Sequence, residues 1–239
     1  MAHFMRAEEF AFTHAAIPRP VSLSQNLADT IAAHHEADGT FARLWPTAIE
    51  LSTFLCEHPE MVAGKRIVEL GAGSGAVGLV CAALGAASVT LTDVPEALPL
   101  LEANLKRNTH LASTVQISPC TWNDAEHIDA LLRGSGGGFD IVLCCEVIYQ
   151  QGADVLVALA QTQRALSRPD GGTKVLLAYE FRNAISEDIA YFDQATDLFG
   201  DSESHTLDGN AAEAYMGGHK DDGGEDRFLY VYDVPPRPR

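Results

Sequence analysis

Three features of this 239-residue chain predict an α/β fold, a mostly parallel sheet with helices on both faces. From Arg66 onward, short β-branched runs alternate with helix-length segments, the pattern of successive βαβ units. A glycine-rich turn between Gly71 and Gly78 joins the first run to the first of these helices. Late in the chain two further runs follow one another with no good helix between them, which predicts an antiparallel edge.

The first forty residues read as irregular, with Pro18 and Pro20 restricting the backbone and a polar stretch through His34, His35 and Asp38. Trp45 to Leu55 starts a helix, with Pro46 at a first position that needs no amide hydrogen, and His58-Pro59 ends it. Ile49, Leu51, Phe54 and Leu55 give it an apolar side. Arg66 to Leu70 is a short apolar strand, followed by the turn and a helix from about Ala76 to Leu84. Ser88 to Thr92 is a second strand, and Val94 to Asn108 a helix with Pro99 near its start. Thr114 to Ile117 makes a third strand; Phe139 to Cys144 makes a fourth, after a flexible run from Gly134 to Gly138. A helix from Asp154 to Leu166 leads to a fifth strand, Lys174 to Tyr179, and another helix covers about Ala184 to Phe199. Ser202 to Leu207 and Phe228 to Val234 complete seven strands. Their connection, Asp208 to Asp226, is glycine-rich and acidic and reads as a mobile surface loop.

Composition narrows the function. Apolar residues make up 46% of the chain and charged residues 21%, as expected of a globular protein with a real core. Sixteen Lys and Arg against thirty-three Asp and Glu leave a net charge of −17, which repels phosphate backbones and anionic membranes. Nucleic acid and membrane partners are therefore not expected; a basic protein would be attracted, although such an acidic balance reads first as a common way to stay soluble. The five cysteines form no CxxC pair and no zinc spacing, and the odd count argues for a reducing compartment, cytoplasmic or also nuclear. The nine scattered histidines suggest no metal site. Leu70 to Thr92 carries no charge between its ends and is long enough to span a bilayer. Its glycines and β-branched end read instead as strand, turn, helix and strand.

Gly73-Ser74-Gly75-Ala76-Val77-Gly78 matches GxGxxG between a strand and a helix, and Asp93 ends the second strand where a carboxylate can accept ribose hydroxyls. A nicotinamide or flavin enzyme has to be weighed on that pattern. Glu69 stands two residues before Gly71, where it would repel a pyrophosphate. A sulfonium cofactor with a free amine and no phosphate suits that acid better. S-Adenosylmethionine is such a molecule.

The stretch from Val68 to Leu79 resembles motif I of the seven-strand, Rossmann-like class I methyltransferases. Four further segments resemble methyltransferase family 16, of the methyltransferase-like 21 type, a branch rich in protein-lysine methyltransferases. They are Leu44-Trp45-Pro46, Leu91-Thr92-Asp93 with the helix after it, Thr121-Trp122, and Glu146-Val147-Ile148-Tyr149. The resemblance runs from about Val21 to Val234. It implies one structural domain: an arm and helix at 1–63 closing over a cofactor site on a core at 64–235. It also implies that Gly71, Ala72 and Gly73 line the methionine part of S-adenosylmethionine, beside Glu69, and that Asp93 takes the ribose. Trp122 would cover the adenine, Trp45 would close over the site, and Cys145 would touch the cofactor through its backbone.

Methyl transfer to an amine needs positioning and exclusion of water more than acid-base help. A lysine must still lose its proton, a handicap of about 4 kcal/mol at neutral pH. Glu146 and Tyr149 are the expected catalytic pair, orienting the amine and its aliphatic stem. The branch usually has Asp where this chain has Glu146, and the extra methylene moves the carboxylate by about 1 Å or more. Glu180 and Arg182 are further candidates to face the substrate, Arg182 equally a surface charge. The expected function is protein-lysine methylation by a monomer. The alternatives are a small-molecule N- or O-methyltransferase on the same scaffold, a non-catalytic cofactor-binding module and, less favoured, a nicotinamide dehydrogenase.

Overall fold

The computed structural model describes residues 9–25, 43–149, 151–181, 185–215 and 226–238. Arg182, the stretch through His34, His35 and Asp38, and 216–225 of the acidic connection lie outside them. The N-terminal region is not wholly irregular. β1 (Glu9–Phe12) and β2 (Val21–Ser24) pair as an antiparallel hairpin. α1 (Pro46–Glu57) then follows Trp45, which caps it in an extended conformation with Pro46 in the first turn.

The seven expected strands form one sheet: β3 (Arg66–Leu70), β4 (Ser88–Asp93), β5 (Val115–Pro119), β6 (Ile141–Cys145), β7 (Thr173–Glu180), β8 (Ser202–Thr206) and β9 (Arg227–Val234). Their order is β5-β4-β3-β6-β7-β9-β8. The first five are parallel, and β9 enters antiparallel between β7 and β8. The chain runs outward from β3 to β5, then returns to the other side of β3 to lay down β6. That reversal opens a crevice at the C-terminal ends of β3 and β6, where open α/β sheets bind ligands.

Alternation along the strands sorts the core into two layers. Ile67, Leu91, Leu143 and Leu176 face α1 and α2 (Ala76–Ala83), meeting Leu51, Leu55 and Val77. Val68, Val142, Val175 and Leu177 face the opposite way, onto Leu156 and Leu159 and onto Tyr191 and Ala195. The uncharged run ending at Thr92 is strand, turn, helix and strand, and among the described residues no helix is long and apolar enough to cross a membrane.

Three elements depart from expectation. The helix expected from Val94 begins later, as α3 (Leu98–Arg107), behind a 3-10 turn at Pro95–Ala97. Val94 is held extended by the proline that follows it. The stretch before the Gly134 run contains α4 (Ala125–Ser135), with the Asp124 carboxylate capping Glu126 and His127 N–H and Gly136 ending it in the left-handed region. After α5 (Ala153–Leu166) and α6 (Ile185–Phe199), the expected loop between β8 and β9 holds a short helix, α7 (Gly209–Tyr215).

Candidate active site

The turn after β3 satisfies some of its own amides. Ala72 N–H donates to the Thr92 carbonyl at 2.9 Å and Gly75 N–H to the Ala72 carbonyl at 2.7 Å. Gly73 N–H donates to Asp93 Oδ2 at 2.8 Å, and Gly78 N–H to Glu69 Oε2 at 2.9 Å. A phosphate cradle needs such amides pointing at a ligand. Here four of them are bonded inside the fold, which disfavours a dinucleotide. Packing is equally tight: a Cβ on Gly78 would lie 2.3 Å from Leu91 Cδ2 and 2.6 Å from Glu69 Oε2. Gly71 has φ +66° and approaches the Val147 side chain so closely that a Cβ would sit 2.7 Å from it.

Glu69 is 2% exposed, and burial pushes its carboxyl up to about 8, with the Gly78 hydrogen bond opposing. Asp93 is nearly as buried, and its pKa is raised for the same reason. Its two oxygens accept from the amides of Gly73 and Val94, which resist that rise. Each carboxylate oxygen still has a further lone pair for a ligand.

These acids open onto a cleft of about 590 Å³ at the C-terminal ends of β3, β4 and β6. All ten residues picked out in the sequence line it: Trp45, Glu69, Gly71, Ala72, Gly73, Asp93, Trp122, Cys145, Glu146 and Tyr149. Trp45 arrives at the N-terminus of α1. Trp122 sits on a turn pinned to α5, where Asn123 N–H donates to Thr162 Oγ1 at 2.7 Å. The Cys145 thiol is pushed well up by burial and is no nucleophile.

Glu146 is a non-glycine residue with φ +55°. Its backbone N–H donates to the Ala178 carbonyl at 3.0 Å, and its Oε1 accepts from the Glu180 amide at 2.7 Å. The longer side chain therefore ties the end of β6 to the end of β7. It is 8% exposed, not a solvated acid, whereas Tyr149 stands 38% exposed at the rim. Behind this tie lies a buried charge cluster. Arg227 Nη1 meets Glu50 Oε1 at 2.7 Å, and its Nη2 meets Glu180 Oε1 at 3.2 Å. Glu50 Oε2 has no hydrogen-bond partner among the described residues, and burial raises this acid to about 7 against the pull of Arg227.

Sequence reasoning missed Glu50 and Arg227, which pair across 177 positions and carry no local pattern. It also missed Arg43 and Asp154 on the cleft wall. Glu180 does reach the cluster beside the site, whereas Arg182 lies outside the described residues.

A switch-point cleft with a glycine turn, a buried acid before that turn and another ending the second strand of the sheet is the site of an S-adenosylmethionine-dependent methyltransferase. The chain belongs to the family described as lysine methyltransferase, whose model matches residues 26–197. It is 36% identical to the protein N-lysine methyltransferase METTL21A of Danio rerio, over 70% of this chain and 76% of that one. To the EEF1A lysine methyltransferase 3 of Mus musculus it is 30% identical, over 63% of this chain but 58% of the relative's length. Among solved structures, magnesium protoporphyrin IX methyltransferase from Synechocystis, with bound S-adenosylhomocysteine, shares the fold. Its TM-score is 0.54 at 12% identity, covering 79% of this chain and 82% of that chain.

Proposed function

We propose that the protein methylates the ε-amine of a lysine in a protein substrate. The observation that carries this is the meeting, in one cleft, of the motif I turn, Asp93, Trp122 and the Glu146 to Tyr149 segment, in a chain of the lysine methyltransferase family. When bound, S-adenosylmethionine supplies an electrophilic methyl on a cationic sulfur, open to in-line displacement by an amine. Asp93 accepts the ribose hydroxyls, and Trp122 and Trp45 cover the adenine side and the mouth. Glu69, buried and close to neutral pH in its titration, faces the cofactor's ammonium. Gly71 brings the backbone close to the methionine part, where a side chain would collide with Val147.

Glu146 holds the incoming amine by accepting a hydrogen bond from its N–H, with the side chain fixed by Glu180 N–H. Tyr149 packs along the lysine stem at the rim. Exclusion of water from this cleft lowers the amine's pKa and so the roughly 4 kcal/mol handicap of a protonated lysine. A protein substrate is favoured over a small molecule by the net charge of −17, which attracts basic segments. The five free thiols fit a reducing compartment, cytosolic or nuclear.

The test is transfer of a radiolabelled methyl group to extract proteins, read by mass spectrometry, with calorimetric binding of S-adenosylhomocysteine in parallel. Wild type should label lysine, and Glu146→Ala should lose labelling by about 100-fold or more while binding S-adenosylhomocysteine normally. Labelling at the parental rate would remove Glu146 from the mechanism. Binding without any labelled lysine would favour the non-catalytic module.

A further inference from the structure

Four acids and one cation line the cleft among the described residues. The acids are Glu69, Asp93, Glu146 and Asp154, and the cation is Arg43. Arg43 is exposed and makes no hydrogen bond or ion pair with any described residue. The first turn of α1, which follows it, carries no acid that could take up its charge. The backbone beside it is fixed, because Leu44 N–H donates to Gln25 Oε1 at 2.8 Å.

S-Adenosylmethionine and S-adenosylhomocysteine each carry one negative group, the α-carboxylate of the amino-acid end. The acids of the cleft suit the ammonium and the sulfonium and repel that carboxylate. Within the glycine turn the amides of Ala72, Gly73, Gly75 and Gly78 are bonded within the fold, and the neutral N–H groups that remain there carry no full positive charge. A net charge of −17 adds a general repulsion that a local cation has to overcome. A guanidinium offers two parallel N–H donors in the geometry of a carboxylate.

We propose that Arg43 binds the α-carboxylate of the cofactor, so that the segment leading into α1 reads the amino-acid end of the ligand. The proposal rests on the cleft being the cofactor site. It makes Arg43 a specificity residue, selecting amino-acid-bearing adenosine thioethers over those lacking a carboxylate.

The experiment is calorimetric titration of wild type, Arg43→Met and Arg43→Lys with S-adenosylhomocysteine and with its decarboxylated analogue, which keeps the amine. Wild type should prefer S-adenosylhomocysteine by about 10- to 100-fold. Arg43→Met should lose that preference while binding the decarboxylated analogue as wild type does, and Arg43→Lys should keep part of it. The proposal is overturned if Arg43→Met binds S-adenosylhomocysteine as tightly as wild type, or if both ligands weaken equally. Failure of wild type to bind either ligand would instead bring down the cofactor reading, and this assignment with it.

Discussion

At the scale of single residues, Glu69 has the most to say about pH. Its carboxyl titrates near 8 in the fold against 4.5 ordinarily, so between those values the folded protein holds a proton that the unfolded chain has released. Stability from this group is complete below about pH 4.5 and lost as pH rises through 8; Glu50, raised to about 7, acts in the same direction. Without ligand, the protein should become less stable from pH 5 to 8, by an amount on the order of a few kcal/mol. Glu69→Gln should flatten most of that slope in thermal melts. An unchanged slope in the variant would mean that Glu69 is ionised throughout. Ligand reverses the balance, because an ammonium beside Glu69 favours its charged form. Binding of S-adenosylhomocysteine at pH 7 should therefore release a proton, seen as heats that depend on the buffer's ionisation enthalpy. Glu69, unlike Glu50, was legible because motif chemistry is local: a glycine turn, an acid before it and an acid ending the next strand lie within 25 positions of sequence.

At the scale of elements, legibility followed the source of stability. Strands β3, β4, β6 and β7 bury most of their side chains, so their apolar runs announce them. Helix α4 buries only Leu131; its signals are a capping Asp124 and a terminal glycine, easily overlooked beside a glycine-rich run. The hairpin is invisible locally, because distant side chains hold it. Asn108 Oδ1, at the C-cap of α3, accepts from Ser22 N–H at 3.0 Å, and Asn104 Oδ1, within α3, from Ser24 N–H at 2.6 Å. The Glu50–Arg227 pair, which joins α1 to β9, is hidden for the same reason. Arg227→Met should leave Glu50 buried without its counter-charge and cost about 3–5 kcal/mol. The double variant with Glu50→Gln should recover most of that loss in denaturant melts. A double variant no more stable than Arg227→Met would show that the pair's charge balance is not what matters there.

For the whole molecule, the order of the sheet and the sign of the surface charge decide how the protein meets its partners. The doubly wound topology was readable from alternation alone, but the insertion of β9 between β7 and β8 is a long-range pairing that no local pattern specifies. A charge of −17 should steer basic substrates, so KM for a lysine-rich protein should rise several-fold, on the order of 3–10, between low and high salt. A KM independent of ionic strength would assign recognition to apolar contacts at the rim. The place of β9 also bears on how the protein is made. On the ribosome, α1 and β3 to β8 emerge before Arg227, so the nascent chain carries Glu50 without its counter-ion and leaves β7 and β8 with nothing to bridge them. The sheet closes only when β9 has left the exit tunnel. A translation product cut short before that strand is left with an open hydrogen-bonding edge and a stranded acid, the kind of species that chaperones and proteases recognise.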